Sequence, residues 1–157
     1  MATQIPLVEV NGEIERLQPG DDIATGGSQV TKTYTATSIP GQVVYADFGT
    51  SVALAQGNAD APSKIVGLSP SAVTAAASGP VQYAGPVTLT TGEWDAVAGT
   101  TGGLTVGAKY FLSDVAAGMM LEQGALTGIT QGEYLVEVGI ALSSTELLYQ
   151  PSRRVRR

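Results

Sequence analysis

GEYLVEVGIALSST, residues 132–145, decides the fold class. Tyr134, Val136, Val138, Ile140 and Leu142 alternate with Leu135, Glu137, Gly139 and Ala141, the period of two that places successive side chains on opposite faces of a strand. The even-numbered face is predicted to belong to the core. Ser143-Ser144-Thr145 then suits a tight return, so residues 147–149 are expected to pair antiparallel with this strand.

Working outward, the same short-strand pattern recurs. Residues 29–37 alternate polar, β-branched and aromatic side chains, Ile39-Pro40-Gly41 supplies a turn, and Val43, Val44, Tyr45 and Phe48 open a further strand, together predicting a hairpin. Further strands are expected at 52–55, 65–68, 81–84, 87–90, 104–112 and 118–121, each bounded by Gly, Pro, Asn, Asp or Ser. Many short strands with frequent turns predict an all-β sandwich or barrel-like domain over residues 31–150.

Helix is scarce. Thr90-Thr91-Gly92-Glu93 has capping-box spacing and predicts one short turn of helix carrying Trp94, ended by the glycines at 99–103. The alanine-rich stretch 71–77 is either barely two turns of helix or irregular, because Pro70 and Gly79-Pro80 bracket it.

Residues 1–30 differ from the rest. Ile5, Leu7, Val8, Val10, Ile14 and Leu17 are interrupted by Pro6, Asn11-Gly12, Pro19-Gly20 and Gly26-Gly27, which predicts extended pieces joined by turns. The segment is either an arm that adds a strand to a neighbour's sheet edge or a strand pairing within its own domain.

Charge is segregated. The chain has 8 Lys+Arg against 14 Asp+Glu, and four of those basic residues are Arg153, Arg154, Arg156 and Arg157. Residues 1–152 therefore hold 4 basic against 14 acidic side chains, a net of −10. Three readings of this tail, residues 151–157, stay open: a solvated end, a nucleic-acid contact, or a segment lying on an acidic protein surface with Val155 as a small apolar anchor. Four charges are too few to carry a −10 body onto nucleic acid in general. Charged residues make up only 14% of the chain, below the roughly 25% of an average soluble domain, which implies that partners cover much of the surface.

With no His and no Cys, neither a Ser-His-Asp nor a Cys-His site nor a thiolate metal site is available. Glu93 with Asp95, or Asp21 with Asp22, offer the carboxylate pair of a glycosidase type, and Asp21, Asp22 and Asp47 the oxygen ligands of a hard cation, each against the reading of solvated turn carboxylates. The glycines of 99–107 lack the GK[ST] ending and following helix of a phosphate cradle and are expected to be turns. Trp94, Tyr83, Tyr110 and Tyr134 are either core and interface packing or a stacking platform for sugar or base. No enzyme, cofactor or metal is expected. No basic leader with an apolar run and no membrane-length apolar stretch occurs, so a protein used without secretion or membrane insertion is expected.

GLTVGAKYFLSDVAAGMMLEQGAL at 103–126, GEYLVEVGIALSSTELLYQ at 132–150 and KIVGLSPSAVTAAASGPVQYAGPVTLTTGEWDAV at 64–97 together resemble a β module that recurs in structural proteins of tailed-bacteriophage virions, and GEIERLQPGDDI at 12–23 is similar to the segment that leads into such domains. Head fibres, decoration proteins and tail fibres all carry the module. A chain of 157 residues with a short arm leaves little room for a fibre shaft, so the resemblance implies a capsid decoration, or cement, protein on the outer surface of the head. It would be assembled in the host cytoplasm as a homo-oligomer, with a trimer favoured. Its partner would be the major capsid protein, engaged by Ile5, Leu7, Val10, Ile14, Leu17, Arg153, Arg154, Arg156 and Arg157. The alternative is a tail-fibre or receptor-binding module that recognises host glycan. The resemblance brings no catalytic or ligand residue with it.

Overall fold

The computed structural model describes residues 7–10, 13–16, 29–47, 49–126 and 131–156, the first two spans as backbone only. Two short strands, β1 (Leu7–Val10) and β2 (Glu13–Arg16), pair antiparallel with Val10 opposite Glu13 and form a two-stranded sheet of their own. The described part of this segment is extended, as expected. Phe48, Ile5, Leu17, Asp21, Asp22 and Arg157 lie outside the described residues.

Five strands close a barrel: β3 (Gln29–Tyr34), β4 (Val43–Asp47), β5 (Ser51–Leu54), β6 (Ile65–Leu68) and β7 (Ser78–Gln82), in the order β3-β5-β4-β6-β7. The expected hairpin of β3 with β4 is not formed. β5 inserts between them, antiparallel to β4 and parallel to β3, because residues 35–42 cross the barrel end instead of turning back. That crossing passes under the helix described below. Gly41 has a φ of 85°, and a Cβ there would lie 2.9 Å from Val97 and 3.2 Å from Trp94, so only glycine allows the approach. Residues 71–77 take the irregular alternative, with Val73 bridging Ser38.

The second layer is a five-stranded sheet of order β10-β9-β12-β13-β8, built from β8 (Gly85–Thr88), β9 (Lys109–Leu112), β10 (Met120–Glu122), β12 (Glu137–Ala141) and β13 (Glu146–Tyr149). The short β11 (Tyr134–Leu135) precedes β12, a single-turn 3₁₀ helix follows β10 at Gln123–Ala125, and α1 (Thr91–Ala98) joins β8 to the loop before β9. Neighbouring strands of this five-stranded sheet are all antiparallel, and β12 and β13 form the predicted return through Ser143–Thr145 contacts.

Alternation separates two cores. On β4, Val44 points into the barrel with Tyr34, Val52 and Val81, while its neighbour Val43 points outward. Both are fully buried. Val43, Ala55 and Leu68 of the barrel's outer side pack against Val87, Trp94, Tyr110, Val138 and Leu147 of the second layer. Each such aliphatic side chain contributes about 1.5–3 kcal/mol relative to exposure. The fold is therefore a small barrel with a sheet and one helix packed on it, all-β as expected.

The strand that opened the sequence argument carries a correction. Val136 and Val138 are buried, as the even face predicts, but beyond them the order inverts: Ala141 is buried and Leu142 is 49% exposed. A β-bulge is the cause. Glu137 pairs with Phe111 and Gly139 with the adjacent Tyr110, so one extra residue on β12 shifts every later side chain to the opposite face.

Candidate functional site: the C-terminal clasp and its groove

The arginine tail lies on its own chain. β14 (Val155–Arg156) pairs antiparallel with β11, Tyr134 opposite Arg156 and Leu135 opposite Val155, and the Ser152 amide donates to the Glu137 carbonyl at 3.1 Å. β11 is fixed in turn by Gly57, whose carbonyl accepts from the Tyr134 amide at 2.8 Å. Strand pairing is what seats the tail. Val155 remains 56% exposed, so strand pairing and not burial of this side chain holds the tail on its own chain.

Arg154 closes the clasp. Its Nη1 reaches Asp60 Oδ1 at 2.8 Å, the Asp60 carbonyl at 2.9 Å and Ser63 Oγ at 3.1 Å, while the guanidinium carbon sits 5.1 Å from the Tyr134 ring centroid. Arg156 approaches the same ring at 5.9 Å. Stacked guanidinium is favoured by the ring quadrupole. Lys64 holds the second Asp60 oxygen at 2.6 Å, one helical turn's spacing along a tight turn that Ser63 pins by donating to the Asp60 carbonyl at 2.8 Å. Hydrogen bonding from Lys64, then from Arg154, lowers the Asp60 carboxyl from 3.8 to about 2.

Beside the clasp runs an open groove of about 520 Å³ between residues 63–66 and 151–154. Ile65, Val66 and Val136 give it an apolar floor, Lys64, Arg153 and Arg154 a cationic rim, and among the described residues no carboxylate lines it. A second, apolar cleft of about 340 Å³ lies between the end of α1 and residues 113–121, with Val115 at its edge, 82% exposed.

Other expected site residues are held in structural contacts. Glu93 completes the capping box, accepting from the Thr90 amide at 2.8 Å, and the Thr90 hydroxyl bond lowers its pKa. Asp95 accepts from the amides of Gly103 at 2.8 Å and Gly102 at 2.9 Å and from the Thr100 hydroxyl at 2.8 Å, and the Gly103 bond lowers its pKa. The glycines at 99, 102, 103 and 107 all have positive φ in turns. Among the described residues no three carboxylates gather to hold a metal ion, and no helix is long and apolar enough to cross a membrane.

The stacking platform is dispersed. Trp94 and Tyr110 are fully buried, Trp94 donating from Nε1 to the Thr145 carbonyl at 2.9 Å; Tyr134 lies under arginines and Tyr83 is 48% exposed. Leu7, Val10 and Ile14 fall on the β1–β2 hairpin, and Arg153 is exposed at the groove. Asp60, Ser63, Lys64 and Tyr134 were missed as a group by sequence reasoning; the one available signal was an excess of arginine in search of a carboxylate. Comparison of the chain with family models, with curated proteins and with solved structures found no match.

Proposed function

We propose that this protein decorates the outside of a tailed-phage capsid and holds neighbouring capsid subunits together against the pressure of packaged DNA. The observation that carries the reading is the reach of the resembling stretch: residues 64–150, whose sequence resembles phage virion modules, supply all five strands of the second sheet and two strands of the barrel. Few charges, an acidic body and a cationic groove beside the C-terminal strand also support a protein built to lie against other subunits.

The action is mechanical. A ligand that binds only the closed junction stabilises it by its binding free energy, and linked copies raise the effective concentration of each weak contact. Heads carrying the protein are expected to release DNA at a higher temperature than heads lacking it, measured by dye access to DNA during heating. Equal release temperatures would contradict the cement role. The glycan-binding alternative gains no support from its proposed stacking residue, since Trp94 is inside the core.

A further inference from the structure

We infer that the groove between residues 63–66 and 151–154 receives the acidic N-terminal segment of a second copy of this chain. The inference goes beyond the capsid reading and does not rest on it, because it concerns the protein with itself.

Charge is the first ground. Lys64, Arg153 and Arg154 line the groove, Arg156 lies next to it, and these are four of the chain's eight basic residues. Asp60 neutralises part of this set, through Lys64 and Arg154, and leaves Arg153 exposed with no partner among the described residues. Residues 1–28 contain five carboxylates, Glu9, Glu13, Glu15, Asp21 and Asp22, against the single Arg16. Within one molecule this segment is the densest run of acidic residues, and the groove is the place that would attract it.

Unmatched strand edges are the second ground. Among the described residues β6 meets β7 only through Leu68 opposite Gln82, so in the groove wall Ile65 has a strand partner on the β4 side alone and Val66 falls at the register shift with none. β1 and β2 pair with each other, and among the described residues the outer edge of each has no strand partner. Edge addition supplies main-chain hydrogen bonds, the apolar floor takes alternate side chains, and the cations take glutamates. Among the described residues both edges are unmatched, and the arm in the groove is assigned to a second copy.

The test uses the full chain alone, with mass followed by analytical ultracentrifugation across a concentration series. Wild type is expected to assemble. Lys64→Glu with Arg153→Glu, and separately Glu13→Lys with Glu15→Lys, should each weaken assembly by about tenfold or more. Mixing the two variants should restore it, because the acidic arm of one then meets the cationic groove of the other and the reversed pair is also complementary. Thermal melts check that each variant folds; Arg153→Glu alone replaces the double change if that one disturbs the clasp. A wild type that stays monomeric, including one whose arm binds its own groove, overturns the inference. Variants that assemble like wild type, or folded variants that stay apart when mixed, overturn it as well.

Discussion

At the scale of single residues, Tyr149 stands out for a contact it does not make. Its ring is buried in the larger core, yet its hydroxyl has no hydrogen-bond partner among the described residues, and burial raises its pKa. Leaving a buried hydroxyl without a partner costs about 1–3 kcal/mol. Tyr149→Phe removes that cost while keeping the ring, so the variant is expected to be more stable by about 1 kcal/mol, a rise of about 2–4 °C in Tm at this chain length. A lower Tm in a calorimetric melt would show that the hydroxyl has a stabilising contact. By contrast, the other buried polar groups near the barrel end satisfy one another: Tyr34 donates to the Pro80 carbonyl at 2.7 Å, and Ser38 and Ser69 share a hydrogen bond of 3.1 Å.

At the scale of elements, the C-terminal clasp is the part whose behaviour depends on pH. Asp60 has its carboxyl lowered from 3.8 to about 2 by Lys64 and Arg154. A folded-state pKa below the ordinary value means that the clasp gains its full support above 3.8 and loses it as pH falls through about 2. Val155 methyl signals in an acid titration by NMR should therefore shift in a step near pH 2, and Asp60→Asn should abolish the step; a midpoint at the ordinary carboxylate value would contradict the clasp. The groups facing Asp60 are Lys64, Arg154 and Ser63, all of which keep their donors through this range. How legible each element was in the sequence follows from how local its cause is. The capping box of α1 was legible because Thr90 and Glu93 answer each other within one turn. Alternation in 134–138 was legible for the same reason, whereas the bulge after Glu137 depends on register against β9 and left only Gly139 as a hint. A Cβ on Gly139 would run into the Leu148 carbonyl. The β3–β4 hairpin failed because barrel closure, not the turn, chooses strand partners, and the parallel β3–β5 pair has no sequence signature. The clasp was hidden by distance: Asp60 and Arg154 are 94 positions apart.

At the scale of the whole molecule, the two ends of the chain carry opposite charge and the body between them is a barrel with a small core of its own and a larger core where the sheet packs on it. The all-β class was legible in turn spacing and alternation; the division into two cores was not, because Val43 and Val44 look alike in sequence and differ only in the side they face. The proposed function, adhesion to other subunits, rests on the low charge content of the chain, on the cationic groove and on the resemblance drawn from the sequence of residues 64–150. The most direct measurement of that claim is co-sedimentation of the purified protein with bare phage heads, using the full chain and a version ending at Ser152. Saturable binding by the full chain, weakened when the clasp and its arginines are removed, is the predicted result. Failure of the full chain to sediment with heads at any concentration would contradict the account.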